Sequence, residues 1–254
     1  MEGVNDLAPA TAVEVRPAAT VILVRDAPVP GGARLEVLML RRHADSAFAA
    51  GAWVFPGGRV DAGDGEAPLP DEAYWVAAAR ECFEEAGILL ARRADGAWLD
   101  TSGELDAARF GRHRRDVHAG RLTLAQVLDA EGIVLDVSGL VYVSRWITPP
   151  GAPRRFDTRF FVAAAPPGQA ASHDTRETVA SVWTTPALAL ERHAAGENAL
   201  MFPTVKTLEA LAPYDDVDAL LTAARSIEEV PVIAPRVLRD PAGRPAVPEP
   251  PCPT

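Results

Sequence analysis

The stretch Glu72 to Ile88, EAYWVAAARECFEEAGI, constrains this chain more than any other. At about 100° per residue, Ala79, Cys82 and Ala86 fall within about 40° of Trp75 and form one apolar stripe. On the same wheel Glu84, Glu81 and Glu85 fall at about 180°, 240° and 280°, a single carboxylate face. Like charges at helical spacing repel, and the last turn of a helix favours cations over anions. Gly87 is placed to end the helix as a left-handed cap. Two readings compete for the acidic face. It is either an ordinary solvated surface beside Arg80, or a set of hard oxygen ligands for Mg²⁺ or Mn²⁺ that bridge to substrate phosphates. The glycine pair Gly57-Gly58 just upstream, where backbone approaches closely or takes unusual torsions, favours the second.

The flanking sequence predicts the layer on which this helix lies. Residues 18–25 (AATVILVR) and 35–41 (LEVLMLR) read as two strands of a hairpin across the turn segment APVPGGAR. A short strand is expected over 53–56 and another over 88–92. Residues 104–130 read as a mostly helical insert. Strands follow at 139–147, 156–164 and 178–184, then helices at about 186–195, 204–212 and 217–227. The last 24 residues contain eight prolines, which precludes a central strand or long helix. The order of elements predicts an α/β (α+β) sandwich and not a doubly wound nucleotide fold. Residues 1–15 are expected to be a mobile arm, 16–230 a single domain, and 231–254 a proline-rich tail.

Composition narrows the function. Of 254 residues, 25 are basic and 35 acidic, a net charge of −10 that argues against a nucleic-acid coat. No run approaches the ~18 apolar residues of a membrane span. The two cysteines, Cys82 and Cys252, supply no disulfide framework, so a reducing cytoplasm is the expected address. The basic run Arg112-His113-Arg114-Arg115, with His118 and Arg121, reads as a solvated helix face. Phe156, Phe160, Phe161 and Trp183 read as core more readily than as an adenine-stacking platform.

Glu72, seven residues, then Arg80-Glu81-Cys82-Phe83-Glu84-Glu85-Ala86-Gly87-Ile88 resembles the Nudix hydrolases, whose motif has these residue types at this spacing. The departure is upstream, where 13 residues and not five separate Gly58 from Glu72, so the loop carries eight extra. The resemblance implies an α/β/α sandwich with a mixed sheet plus additional helices. It also implies metal-dependent hydrolysis of a diphosphate bond. Glu81, Glu84, Glu85 and the Gly58 carbonyl would hold the ions, and Arg80 would pair with a motif glutamate. Glu72 would serve the loop and helix start. Glu177, before the strand 178–184, is a candidate for a further catalytic glutamate, with an exposed strand-start carboxylate as the competing reading.

The substrate is read from weaker signs. Residues 38–58, with Arg42, Gly51 and Phe55-Pro56-Gly57-Gly58, partly match the segment preceding the motif in coenzyme A diphosphatases, although Ala47 stands where an arginine is usual. The insertion inside the motif resembles the peroxisomal branch of these enzymes and its bacterial relatives, without a Ser-Lys-Leu ending. Coenzyme A carries an additional phosphate, so Arg42, Arg154 and Arg159, with Arg41 and Arg155, are candidates for binding it; an ordinary solvated arginine is the alternative for each. A coenzyme A-type or related adenine nucleotide is the expected substrate. An RNA cap or nucleotide-pool hydrolase and a non-catalytic ligand sensor are the alternatives. A homodimer is compatible with the family.

Overall fold

The computed structural model describes residues 13–29, 32–46, 49–65, 71–235, 238–239 and 245–246. Its strands are β1 (Val15–Val29), β2 (Gly32–Arg42), β3 (Trp53–Val54), β4 (Gly57–Arg59), β5 (Ala91–Arg93), β6 (Ile133–Leu135), β7 (Val141–Ile147), β8 (Arg155–Ala164), β9 (Thr178–Thr184) and β10 (Val232–Ile233), followed by a two-stranded pair, β11 (Leu238–Arg239) and β12 (Pro245–Ala246). The α-helices are α1 (Glu72–Glu81), α2 (Glu104–His118), α3 (Leu124–Glu131), α4 (Pro186–Ala194), α5 (Phe202–Leu211) and α6 (Val217–Arg225). A 3₁₀ turn spans Ala62–Asp64, and α1 continues directly into a π-helical turn, Cys82–Ala86.

The main sheet runs β10-β7-β8-β1-β2-β3, with β4 beside the first half of β1 and β9 beside β2. It is mixed: β1 runs parallel to β8 and β10 parallel to β7, while the remaining pairs are antiparallel. A sheet covered on both faces reads as continuous apolar sequence, which is why β1 contains ATVILV without polar alternation. Ala19, Val21 and Leu23 join Leu38, Leu40 and Phe161 against Ala78, Ala79, Cys82 and Ala86 of the motif helix. The small alanines of α1 let its backbone lie close to the strands. Ile22, Val24, Val37, Met39 and Val162 face the other way, onto Leu208, Leu211, Leu220 and Leu221 of α5 and α6. The molecule is therefore an α/β/α sandwich. A third cluster, Phe83, Leu89, Phe110, Val117 and Val127, packs α2 and α3 against the end of the motif helix.

Several boundaries differ from the sequence reading. The strand expected at 88–92 is confined to β5, because Leu89 is engaged by a side chain: its N–H donates to Gln169 Oε1 and its carbonyl accepts from Gln169 Nε2, both at 2.9 Å. The expected arm 1–15 lies outside the described residues up to position 12, and β1 already begins at Val15. Of the tail, β10 reaches only the sheet edge, where proline-rich sequence is tolerated. No described helix is long and apolar enough to cross a membrane.

Phe161 is fully buried, with Trp75 and Tyr142 rings at 4.7 and 5.4 Å. Phe161→Ala is expected to cost about 3–5 kcal/mol, read as a lowered urea midpoint with an unchanged slope.

Candidate active site

The site is built where β4 meets the end of the motif helix. Pairing of β4 with β1 lays Gly57 and Gly58 opposite Thr20 and Ala19. Both glycines are required by space. A Cβ at Gly57 would stand 2.6 Å from the Ala19 carbonyl, and one at Gly58 would overlap the Glu81 carboxylate. The helix widens into a π turn that carries Glu84 and Glu85, the kind of irregularity often found at functional sites. Gly87 closes it with φ of +72°, as its sequence position predicts. Glu85 is buried, 2% exposed, and its Oε2 accepts the Gly57 N–H at 3.0 Å.

One guanidinium organises the rest. Arg80 donates from Nε and Nη2 to Asp64 at 2.7 and 2.9 Å, from Nη1 to Glu81 at 2.8 Å and Glu84 at 3.0 Å, and from Nη2 to the Arg59 carbonyl at 2.7 Å. Asp64 is itself buried and accepts the Asp61 N–H at 2.8 Å. Sequence reasoning missed Asp64, counting back from Glu72 to place the insertion. The signal was present: Asp64 follows Gly58 after five residues, the spacing of the motif carboxylate. The extra residues thus enter after Asp64. Glu72, assigned to the loop and helix start, is exposed as the first residue of α1 and takes no part in Arg80's hydrogen bonds.

Burial, with Glu84 adding and Arg80 opposing, pushes the Glu81 carboxyl up to about 7. Burial, followed by Glu81, drives Glu85 well above the carboxylate range against the pull of the Gly57 N–H and Arg42. These acids line a groove of about 990 Å³ that also contains Gly58, Arg42, Arg154, Glu177 and His118. Among the described residues no three acidic, histidine or cysteine side chains are closed round one point. Glu81 and Glu84 are turned onto Arg80, and Glu85 onto the Gly57 amide. The donor set nevertheless suits a hard divalent cation, since three carboxylates beside close backbone carbonyl groups offer only oxygen, the ligand type such ions take.

A family profile described as the NUDT19 Nudix domain matches residues 63–211, more than half of the chain. The chain belongs to the Nudix hydrolases. Acyl-coenzyme A diphosphatase NUDT19 of Gallus gallus is 31% identical over 81% of this chain and 70% of its own. The protein of that name from Homo sapiens is 28% identical over 75% and 64%. A crystal structure of a NUDIX hydrolase from Alicyclobacillus acidocaldarius superposes with a TM-score of 0.71 at 29% identity, covering 83% of this chain and 96% of that one.

The remaining candidates of this Nudix hydrolase divide by strand face. Arg42 reaches the groove, 3.9 Å from Glu85 and 3.6 Å from Glu177. Glu177, with a half-exposed side chain, stands in the same wall, and Arg154 lies at the rim. Arg159 does not line the groove. On β8, Phe156, Thr158 and Phe160 face the groove, so the alternate residue Arg159 points to the α1 side. There it stacks over Tyr74 at 3.8 Å and pairs with Asp71 at 2.7 Å. Phe161 is core, as read; Phe160 is core too but also lines the groove, as does the half-buried Phe156. The basic run of α2 is not uniformly solvated either. Arg114 and His118 turn inward to the motif helix, because Phe110 and Val117 bury that side of α2.

Asp64→Ala leaves Arg80 without its bidentate partner and is expected to cost about 3–5 kcal/mol, whereas Glu72→Gln stays within about 0.5 kcal/mol, both read by denaturant unfolding. The raised carboxyls set a pH dependence. Their protonated forms are favoured in the metal-free fold, so their contribution is complete below the ordinary value of 4.5 and is lost as pH rises through about 7 for Glu81. Added Mn²⁺ is therefore expected to raise the thermal midpoint more at pH 8 than at pH 5.

Proposed function

We propose that this Nudix hydrolase cleaves the diphosphate of a coenzyme A-type nucleotide conjugate with Mg²⁺ or Mn²⁺. The observation that carries the reading is the set of buried Glu85 and partly buried Glu81 and Glu84 against the Gly57-Gly58 backbone, in a groove also lined by Arg16, Arg42, Arg154 and Arg155. Glu81, Glu84, Glu85 and the Gly58 carbonyl would hold the ions. When bound, the cations neutralise diphosphate oxygens and activate a water for attack on phosphorus.

The chain's own groups do the positioning. Arg80 fixes the rotamers of Glu81 and Glu84 and is itself fixed by Asp64, a supporting contact of the type that orients metal ligands. Arg42, between Glu85 and Glu177, is placed to take a phosphate oxygen as substrate enters, and Arg154 at the rim to take a more distant one. Glu177 stands on the open side of the groove, accessible to water, and is the candidate proton acceptor. A substrate with a diphosphate and a further phosphate uses more than one arginine, and relatives named as acyl-coenzyme A diphosphatases support that class.

The test is turnover of a panel comprising free coenzyme A, an acyl-coenzyme A, ADP-ribose, NADH and capped RNA, each with Mg²⁺ and Mn²⁺. The coenzyme A compounds are expected to have the highest kcat/KM and to yield 3′,5′-ADP. Glu84→Gln or Glu85→Gln should lower kcat by more than the ~10–100-fold typical of losing an outer partner of a metal ligand. Full activity in either variant rejects the assignment, and preference for capped RNA rejects the substrate.

A further inference from the structure

Two residues of α2, one turn apart, reach both the motif helix and the loop that precedes β9. Arg114 donates from Nε to the Glu84 carbonyl and from Nη2 to the Glu85 carbonyl, both at 2.8 Å, serving carbonyls that a helix end leaves without partners. The same guanidinium donates to the Ser172 carbonyl at 2.8 Å and the Ser172 hydroxyl at 2.9 Å. His118 stands between two carboxylates, with Nδ1 3.5 Å from Glu84 Oε2 and Nε2 3.7 Å from Asp174 Oδ2. Its side chain is 14% exposed, and the buried Nδ1 has no hydrogen-bond partner. Bringing these contacts to the usual N–H···O length of about 2.9–3.0 Å takes shifts of about 0.5–0.8 Å.

Asp174 in turn shapes the segment that carries Glu177. Its carboxylate accepts the N–H groups of Arg176, Glu177 and Thr178 and the Thr178 hydroxyl. The Ser172 N–H adds a bond to the Ala86 carbonyl at 2.9 Å. All of these links are polar, and those made by Arg114, His118 and the Ser172 N–H converge on the end of the motif helix.

We propose that α2 is a two-point clamp in which His118 is a positioning residue. Standing between Glu84 and Asp174 with one ring nitrogen toward each, it sets where the Glu177 carboxylate enters the groove, while Arg114 ties the backbones of the same two segments. The role in turnover rests on reading Glu177 as a group that acts on substrate. The motif helix and the segment before β9 are far apart in sequence, and α2 holds them in register.

The test uses the full chain with His118→Phe, which keeps ring volume and removes both nitrogens, and His118→Gln, which restores a donor. Amide hydrogen exchange at 176–178 is expected to accelerate about tenfold or more in His118→Phe and to recover partly in His118→Gln. With the coenzyme A substrate, kcat of His118→Phe should fall about tenfold with little change in KM. In a Glu177→Gln background the same substitution should cost less than about twofold, because both act through one group. Unchanged exchange at 176–178 in His118→Phe overturns the clamp, and so does a full, multiplicative loss in the Glu177→Gln background. If Glu177→Gln alone keeps full activity, the reading of Glu177 falls, while the exchange rates still decide whether His118 holds the segment.

Discussion

The arrangement of the candidate site depends on one cation that the chain supplies itself, the Arg80 guanidinium. Arg80 sits in a nearly closed cage of Asp64, Glu81, Glu84 and the Arg59 carbonyl, and these oxygens hold it charged despite its burial. A guanidinium has five donors in a rigid fork. In satisfying them, the fold specifies the positions of two metal-ligand candidates and the end of the strand that precedes them. Breaking such a pair from one side leaves an uncompensated buried charge, so the cage is a device for geometry more than for net stability.

Around that cage the fold works by close approach. Alanines along α1 bring the helix onto β1, and glycines in β4 bring backbone onto the glutamates. A left-handed glycine ends the π turn where Arg114 comes in; a Cβ at Gly87 would stand 2.9 Å from the Arg114 guanidinium. Missing side chains are thus as important as those present. The Nudix architecture supplies the sheet and helix, and the inserted α2 reinforces the point at which they meet.

Much of this was legible in the sequence because it is local or periodic. The apolar stripe and carboxylate face of Glu72–Ile88, the cap at Gly87, and the hairpin of β1 and β2 follow from spacing alone. What was not legible required partners distant in the chain. Asp64 was hidden by the insertion that separates it from α1. Arg159 was assigned to substrate because strand phase relative to the groove is not visible until β8 is registered against β1. Arg114 and His118 looked like an ordinary charged face, since nothing local reveals that α2 lies over the end of another helix. Long-range polar contacts of this kind leave no period in a sequence.

The segment inserted into the motif begins and ends on an aspartate paired with an arginine: Asp64 with Arg80, and Asp71 with Arg159. Each anchor lies on a different side of the insertion, so the length of chain between them is uncoupled from the position of the motif carboxylates. Because closure entropy grows only by ~0.6 kcal/mol per doubling of length, such a junction is a natural splice point. Residues can be added or removed there at small thermodynamic cost while the cage around Arg80 beneath it keeps its geometry.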